Sequence, residues 1–172
     1  MKASHKITIL LTTALLLSSC KPEIVEVKPD EPTNPQKHDT LTLGGGCYWC
    51  VEAVFQQLAG VISATSGFMG GHIPNPTSEE VYSLTSGHIE VVQVVFDPQI
   101  ISAPEILKWF WKAHDPTDPR GQGVDKGPIY MSYIFTHSPK QRELAETSKK
   151  EAQTNFDAPI VTTIQDAEEF YA

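Results

Sequence analysis

The segment HIEVVQVVFDP, residues 88–98, has the pattern of a β-strand with apolar side chains on both faces. Alternation along a strand divides these side chains into two sets, with Ile89, Val91 and Val95 on one face and Val92, Val94 and Phe96 on the other. A strand that is apolar on both faces must be covered from both sides, which is typical of a central strand. The chain therefore needs a layered fold with this segment inside a sheet.

Shorter patterns on either side predict the rest of the sheet and its helices. Strands are expected over 40–45, 61–71, 131–136 and 159–164, and helices over 47–58, 102–114 and 138–153. The second helix opens with Ser102 and Glu105, the pattern of a capping box. Its core face is expected to hold Ile106, Trp109, Phe110 and Ala113. Because strands and helices alternate irregularly, we expect an α+β fold, a two-layer sandwich with a mixed central sheet and ferredoxin-like elements.

The N-terminus has the organisation of an export signal. Lys2 and Lys6 precede an apolar run over 7–17 that is shorter than a membrane-spanning helix needs. The following LSSC resembles a bacterial lipobox, which implies that Cys20 is lipidated and becomes the first residue of the mature protein. We expect a signal peptide over 1–19 and an exported lipoprotein anchored in a membrane, on the periplasmic or cell-surface side. An ordinary signal peptide cut nearby is the alternative.

After the lipobox, composition and charge predict a linker, a folded domain and the kind of partner to expect. Residues 21–39 hold four prolines among many charged side chains, so we expect a lipid-anchored, Pro-rich linker over 20–39 and the folded domain over 40–172. The 172-residue chain is 40% hydrophobic, which is enough for a core. Its formal net charge of −8 would repel nucleic-acid phosphates, so we expect no nucleic-acid partner.

Two cysteines three residues apart in GGGCYWCVEAVF, residues 44–55, are the first candidates for chemistry. Cys47 falls where a strand is expected to meet a helix, and there the helix dipole and unpaired N–H groups favour a thiolate. The glycines before it let backbone and substrate approach closely. In an oxidising compartment Cys47 and Cys50 could form a redox pair. One reactive thiol with a bystander, or a small buried cysteine beside a turn, are the alternatives.

A metal site is another interpretation of the cysteine pair. Zinc usually takes four ligands, often from two such pairs or from one pair with two nearby histidines. The sequence has no second pair, and His72, His88 and His114 do not form an HxxxH pair. We therefore expect no metal, and we expect these histidines to pack as polar groups or to face solvent.

Glu90 and a long loop supply the remaining candidates. Glu90 shares its strand face with apolar side chains, and burial there would raise the pKa of its carboxyl and suit it to act as a general acid. A strand-end carboxylate that reaches water is the alternative. The loop HDPTDPRGQGVDKGPIYMS, residues 114–132, breaks every regular pattern. Long loops are often functional, so Asp125 and Tyr130 could bind a polar substrate group, although a plain surface loop would have the same composition.

Five stretches fall together in the order and near the spacing of a known family. They are GGGCYWCVEAVF, GFMGGHIPNPTSEEV, SGHIEVVQVVFDP, HDPTDPRGQGVDKGPIYMS and PIVTTI. From about residue 41 onward the chain resembles the A-class peptide methionine sulfoxide reductases, the MsrA family, in a lipoprotein form with a GCYWC motif. Each stretch alone would be weak, but their combination is very specific.

The resemblance implies an enzyme that reduces the S epimer of methionine sulfoxide, free or in proteins, to methionine. By this resemblance, Cys47 matches the nucleophile, and Glu90 matches the acid that protonates the sulfoxide oxygen. Asp125 and Tyr130 match the loop residues that complete the polar site. Tyr48 and Trp49 match the aromatic wall that holds the S-methyl group. Cys47 would become a sulfenic acid, a second thiol would condense with it to a disulfide, and a thioredoxin-like donor would restore both. No metal, flavin or nicotinamide is implied.

Three positions depart from the pattern of the family. Many members carry a tyrosine where this chain has Ser78, so one hydroxyl donor to the sulfoxide oxygen is expected to be missing; Tyr82, one helical turn on, could compensate. Members usually continue past the position of Ala172, so we expect a shorter substrate-side wall and no C-terminal resolving cysteine. Cys50 stands where glycine is common, and we expect it to be the resolving thiol. The alternative is that Cys50 only packs and an external thiol resolves the sulfenic acid.

Two other functions stay open from the sequence. A thioredoxin-like disulfide oxidoreductase would use the cysteine pair, but the pattern after residue 60 does not indicate its strand order or its proline-containing loop. A surface lipoprotein that binds peptides through an inactivated reductase domain is the second alternative, because Ser78 and the chain end at 172 depart from the family. For the reductase we expect a monomer.

Overall fold

A computed structural model describes residues 38–172, which form a mixed sheet with helices packed on it. In chain order the elements are β1 (Asp39–Gly45), α1 (Tyr48–Phe55), β2 (Val61–Met69), α2 (Ser78–Tyr82), β3 (Ile89–Phe96), α3 (Ala103–Ala113), β4 (Gly121–Gln122), β5 (Asp125–Lys126), β6 (Ser132–Thr136), α4 (Pro139–Ala152) and β7 (Thr163–Asp166). The five-stranded sheet has the order β2-β3-β1-β6-β7. Its neighbours are antiparallel except β6 and β7. The α+β fold with a mixed central sheet is confirmed, and β3 lies inside the sheet.

Most of the core lies on the face of the sheet that α1, α3 and α4 cover. The residues buried there include Leu41, Leu43, Val51, Phe55, Val92, Val94, Phe96, Ile106, Phe110 and Ala145. A smaller cluster of Met69, Ile89, Val91 and Phe135 lies apart, and Ala167 and Phe170 of the C-terminal segment pack against it. The alternation of β3 is confirmed, and it assigns Glu90 to the helix-covered face together with Val92.

Helix α3 begins with the expected capping box and buries Ile106 and Phe110 as expected, but its core face is rotated toward Leu107 and Trp111. Trp109 is 42% exposed, so its expected burial is wrong, whereas Leu107 and Trp111 are buried. The indole Nε1 of Trp111 donates a hydrogen bond to the hydroxyl of Ser148 on α4 at 2.7 Å. Helical spacing allows either stripe, and packing against α4 selects the one that contains Trp111.

The last strand begins later than expected. Residues 159–162 do not join the sheet, because Val161 donates its N–H to the carbonyl of Pro116 at 2.9 Å. The carbonyl of Thr162 accepts a hydrogen bond from Lys149 Nζ at 2.6 Å. Residues 159–162 therefore bond to the 114–132 loop and to α4 instead of forming part of the strand.

Two other expectations need correction. The 114–132 loop is not wholly irregular, because β4 and β5 pair in it as a short antiparallel hairpin and residues 128–130 form a 3₁₀ turn. Helix α1 ends at Phe55 rather than at residue 58, before the turn at Gly60, which has a φ of +93°. Both corrections concern local segments near the ends of elements, where periodicity is least informative.

The predicted signal peptide over 1–19, the lipidated Cys20 and almost all of the 20–39 linker lie outside the described residues. Within 38–172, no helix is both long enough and apolar enough to cross a membrane. In the same residues, no group of three or more His, Cys, Asp and Glu side chains is placed to hold a metal ion.

Candidate active site

Cys47 lies in the turn between β1 and α1, where it is the N-cap residue of the helix. Its carbonyl oxygen accepts the N–H groups of Cys50 and Val51 at 3.1 and 3.3 Å, which begins the helical ladder. Gly46 before it has a φ of +90°, and a Cβ there would collide with the side chain of Gln122, so the turn requires glycine. The Cys47 side chain is half-buried at the N-terminal end of α1.

Glu52 attaches the helix that carries the cysteines to the neighbouring strand. Its Oε2 accepts the backbone N–H of Ser66 on β2 at 2.9 Å and also accepts the Ser66 hydroxyl. On the same helix, Val51 and Phe55 are buried in the core. Polar and apolar contacts therefore hold the first turn of α1 in place.

Cys50 lies beside Cys47 on that first turn, and its side chain is exposed. The neighbouring Cys47 side chain is the main reason that the pKa of Cys50 is raised, and slight desolvation and the carboxylate of Asp125 act in the same direction. The two cysteines are thus neighbours on one turn, and the surroundings of Cys50 favour its protonated form.

Glu90 is buried at the start of β3, with 3% of its surface exposed. Burial raises the pKa of its carboxyl, and the charge of Asp125 adds to the rise, while two hydrogen bonds oppose it. Oε2 accepts the backbone N–H of Tyr48 at 3.2 Å, and Oε1 accepts the hydroxyl of Tyr82 at 3.1 Å. A carboxyl group in this setting stays protonated at higher pH than an exposed one, which suits a proton donor.

Aromatic rings surround the Glu90 carboxyl. Phe68 is the cross-strand partner of Glu90 on β2, and its ring centre lies 6.0 Å from that of Tyr48 and 6.5 Å from that of Tyr82. Trp49 stacks on Tyr48 with ring centres 5.8 Å apart and planes at 14°, and it is 70% exposed. An apolar wall of this shape can hold a methyl group beside the acid.

The 114–132 loop places Asp125 and Tyr130 at the same site. Tyr130 packs against the cluster that contains Phe68, and burial and then the charges of Glu90 and Asp125 raise the pKa of its hydroxyl. The Asp125 charge acts on Cys50, Glu90 and Tyr130 alike, so its carboxylate lies near all three. The structure therefore brings together every candidate of the folded domain: Cys47, Tyr48, Trp49, Cys50, Glu90, Asp125 and Tyr130.

Two further residues of the site are not prominent in the sequence. Phe68 is not singled out by any pattern, because its place opposite Glu90 depends on the register between β2 and β3. Tyr82 reaches Glu90 from α2, whereas Ser78 is exposed at the start of that helix. The capped helix that starts after Thr77 puts Tyr82 one turn after Ser78, in line with the expectation that Tyr82 could compensate for Ser78.

Two histidines, the buried His88 and the half-buried His114, are held by neighbouring groups outside this site. The ring of His88 accepts the N–H of Gly71 at Nδ1 and bonds the carbonyl of Ile73 through Nε2. His114 bonds the Phe110 carbonyl through Nδ1 at 2.9 Å, and its Nε2 lies 2.7 Å from the Ser132 hydroxyl. Burial lowers the pKa of His114 to about 4, so this ring is neutral near pH 7.

Residues 39–172 match the family model described as peptide methionine sulfoxide reductase. The chain belongs to the peptide methionine sulfoxide reductase family. The MsrA of Ligilactobacillus salivarius is 48% identical over 135 residues, which cover 77% of this chain and 78% of that protein. The MsrA of Saccharolobus solfataricus is 47% identical over 133 residues, covering 77% and 75%. The reductase is thus an MsrA-type oxidoreductase that acts on methionine sulfoxide.

Solved structures of the family have the same fold as the reductase. Mxr1 from Saccharomyces cerevisiae in reduced form matches with a TM-score of 0.75 at 29% identity, covering 80% of this chain and 81% of that one. The methionine sulfoxide reductase A of Corynebacterium diphtheriae matches with a TM-score of 0.70 at 33% identity, covering 80% and 71%. Mxr1 in complex with Trx2 matches with a TM-score of 0.59 at 23% identity over 85% and 86%, a likeness of fold.

Proposed function

We propose that the reductase converts methionine S-sulfoxide, free or in proteins, to methionine with its own two thiols. The observation that supports this most is the link between nucleophile and acid. Cys47 is followed directly by Tyr48, whose N–H holds the buried Glu90 carboxyl at 3.2 Å. One hydrogen bond therefore ties the proton donor to the turn that presents the thiol.

In the first step the Cys47 thiolate attacks the sulfoxide sulfur while Glu90 gives its proton to the sulfoxide oxygen. The raised pKa of Glu90 keeps that proton available toward neutral pH. The attack forms a bond between the Cys47 sulfur and the substrate sulfur, which now carries a hydroxyl group. That hydroxyl then moves to the Cys47 sulfur as the S–S bond breaks, so methionine is released and Cys47 is left as a sulfenic acid. The substrate sulfur gains the two electrons that the Cys47 sulfur loses. Tyr48 and Trp49 would hold the S-methyl group, and Asp125 and Tyr130 would complete the polar side.

Cys50 is the resolving thiol in this scheme. It attacks the sulfenic sulfur of Cys47, so a Cys47–Cys50 disulfide forms and one water is released. Cys50 lies three residues after the N-cap Cys47, on the first turn of the same helix, and this spacing supports a disulfide between them. A thioredoxin-like dithiol then reduces the disulfide and is itself oxidised, with exposed Cys50 open to that donor. The crystallised pair of the yeast relative Mxr1 with Trx2 supports a donor of this kind.

The same proposal includes export. The lipobox ending at Cys20 favours a lipoprotein anchored in a membrane by a lipid on Cys20, with the 20–39 linker between the anchor and the domain, on the periplasmic or cell-surface side. The proposal takes the reductase as a monomer. Detergent partitioning of wild type and Cys20→Ala tests the anchor, and equal partitioning would contradict it.

An inactivated binding module explains the site less well. A peptide-binding surface does not need a buried carboxyl with a raised pKa, or two free cysteines on one helical turn. The site also keeps a hydroxyl on Glu90 despite Ser78, because Tyr82 supplies it. These features favour an enzyme.

The decisive experiment supplies dithiothreitol and either epimer of dabsyl-methionine sulfoxide, and follows formation of the thioether. We expect reduction of the S epimer and none of the R epimer. Cys47→Ser should abolish the reaction, because a hydroxyl is not a nucleophile of this strength near neutral pH. A thioredoxin-like enzyme would reduce insulin instead, and a binding module would reduce neither. Turnover by Cys47→Ser close to that of wild type would contradict the proposal.

A further inference from the structure

Tyr82 has an exposed ring but directs its hydroxyl at a buried group. The residue is 46% exposed, while its oxygen lies 3.1 Å from Glu90 Oε1 and 3.4 Å from the hydroxyl of Tyr48. The other carboxyl oxygen of Glu90 accepts a backbone N–H. Each Glu90 oxygen therefore has one donor, and only the Tyr82 bond depends on a side chain.

The position of this hydroxyl is set by the packing of α2. The helix begins with a capping box in which Thr77 and Glu80 bond each other's backbone N–H groups. Val81 is fully buried in the cluster that contains Phe68. The Tyr82 ring meets Phe68 edge to face with ring centres 6.5 Å apart. The cap, the buried valine and the aromatic contact restrict the side chain to the direction of Glu90.

We propose that Tyr82 is a positioning residue for Glu90, whose hydroxyl orients the carboxyl and stabilises the carboxylate left after proton donation to the sulfoxide oxygen. This inference rests on the proposed role of Glu90. Tyr82 acts through Glu90 and takes no covalent part in the reaction. Many members of the family carry a tyrosine at the position of Ser78, which is exposed here. In this chain the hydroxyl comes instead from Tyr82, at the other end of the same short helix.

A hydrogen bond donated to an ionised carboxylate stabilises the ionised form. The bond from Tyr82 therefore opposes the rise in the pKa of Glu90 that burial causes. Four groups from four elements face Glu90: the Tyr48 N–H of α1, the Tyr82 hydroxyl of α2, the Asp125 carboxylate of β5 and the Tyr130 hydroxyl of the 3₁₀ turn. Asp125 acts in the same direction as burial. If only the Tyr82 hydroxyl is removed, the pKa of Glu90 should rise further.

Tyr82→Phe in the full chain removes one oxygen and keeps the ring. We expect the single-turnover rate of S-sulfoxide reduction to fall about 10- to 100-fold, less than for loss of the acid itself, while KM changes by less than about 3-fold. The alkaline limb of the pH–rate profile should move to higher pH, because Glu90 then keeps its proton longer. A role in folding alone would not move that limb.

Tyr133→Phe is the matched control. Tyr133 stacks on Phe135 with ring centres 5.6 Å apart, in the cluster that lies apart from the site. The same loss of one oxygen there should leave the rate and the pH profile unchanged.

A second measurement needs no substrate. The titration of the Glu90 carboxyl, followed by NMR of ¹³C-labelled protein, should show a higher pKa in Tyr82→Phe than in wild type. An unmoved pKa of Glu90, or an unchanged rate in Tyr82→Phe beside an active wild type, overturns the role of Tyr82. An inactive wild type would instead overturn the proposed function, and the NMR titration would still decide whether Tyr82 acts on Glu90.

Discussion

Cys47 and Cys50 are the same residue type on one helical turn, yet their surroundings differ. Cys47 is half-buried at the N-cap, and Cys50 is exposed. The neighbouring Cys47 raises the pKa of Cys50, which favours the protonated thiol. In the proposed mechanism, Cys50 would therefore stay a poor nucleophile until Cys47 has become a sulfenic acid and no longer carries a charge.

Replacement of Cys50 by serine tests this division of roles. In a single turnover without reductant, Cys50→Ser should still yield one methionine per enzyme but should stop at the sulfenic acid, which dimedone traps. Turnover with thioredoxin should be lost, with some turnover left in dithiothreitol. Wild type should lose two thiols and show a Cys47–Cys50 disulfide in peptide mass mapping. Accumulation of dimedone-reactive Cys47 in wild type, without that disulfide, would show that Cys50 is a bystander.

At the scale of elements, the position of α1 decides whether the site exists. A helix of eight residues is not stable by itself, so its place depends on contacts with the rest of the domain. Val51 and Phe55 supply apolar contacts, and Glu52 supplies two hydrogen bonds to Ser66 of β2. The first turn holds no acidic residue that would weaken the attraction of the helix dipole for a thiolate.

We therefore expect Glu52→Ala to lower the free energy of unfolding by about 2 kcal/mol, the usual effect of losing hydrogen bonds to a charged group. The single-turnover rate should fall as well, because the turn that carries Cys47 loses an anchor. Urea unfolding and rapid-quench kinetics measure the two effects. Glu146→Ala on α4 is the control, since Glu146 is exposed. Equal stability and rate in both variants would mean that apolar packing alone holds α1.

At the scale of the whole molecule, one half-buried histidine links distant segments. His114 follows α3 and bonds Ser132 at the start of β6, and Ser132 in turn lies 2.7 Å from the hydroxyl of Thr162. Burial lowers the pKa of His114 from 6.5 to about 4, so the folded protein disfavours the charged ring. The unfolded chain takes up this proton first as the pH falls.

The free energy of unfolding should therefore decrease as the pH falls from about 6.5 to about 4 because of His114, by no more than about 3 kcal/mol. The raised pKa of Glu90 acts in the opposite direction at acidic pH, so the test is a comparison of variants. Urea unfolding at pH 7 and pH 4.5 should show a smaller loss in His114→Gln than in wild type. His72→Gln, at an exposed position, should keep the wild-type loss. Identical losses in all three proteins would show that His114 does not set the acid response.

Local patterns are enough for many features of this protein. The alternation of β3, the helix start after Cys47 and the capping box from Ser102 to Glu105 each depend on a few neighbouring residues, and the structure has all three. The motifs also name the thiols, the acid and the loop residues that the fold brings together. Strand periodicity, helix caps and motif spacing are properties of short segments, so they can be read before the fold is known.

Contacts between distant segments could be decided only by the tertiary structure. Helical spacing allows Trp109 or Trp111 in the core, and the hydrogen bond of Trp111 to Ser148 on α4 selects one. Phe68 lies opposite Glu90 because β2 pairs with β3 in one register, and a shift by one residue would turn its ring to the other face. The Tyr82 hydroxyl reaches Glu90 because α2 packs over that register. Each of these contacts depends on how two segments pack against each other, and a one-dimensional pattern does not contain that information.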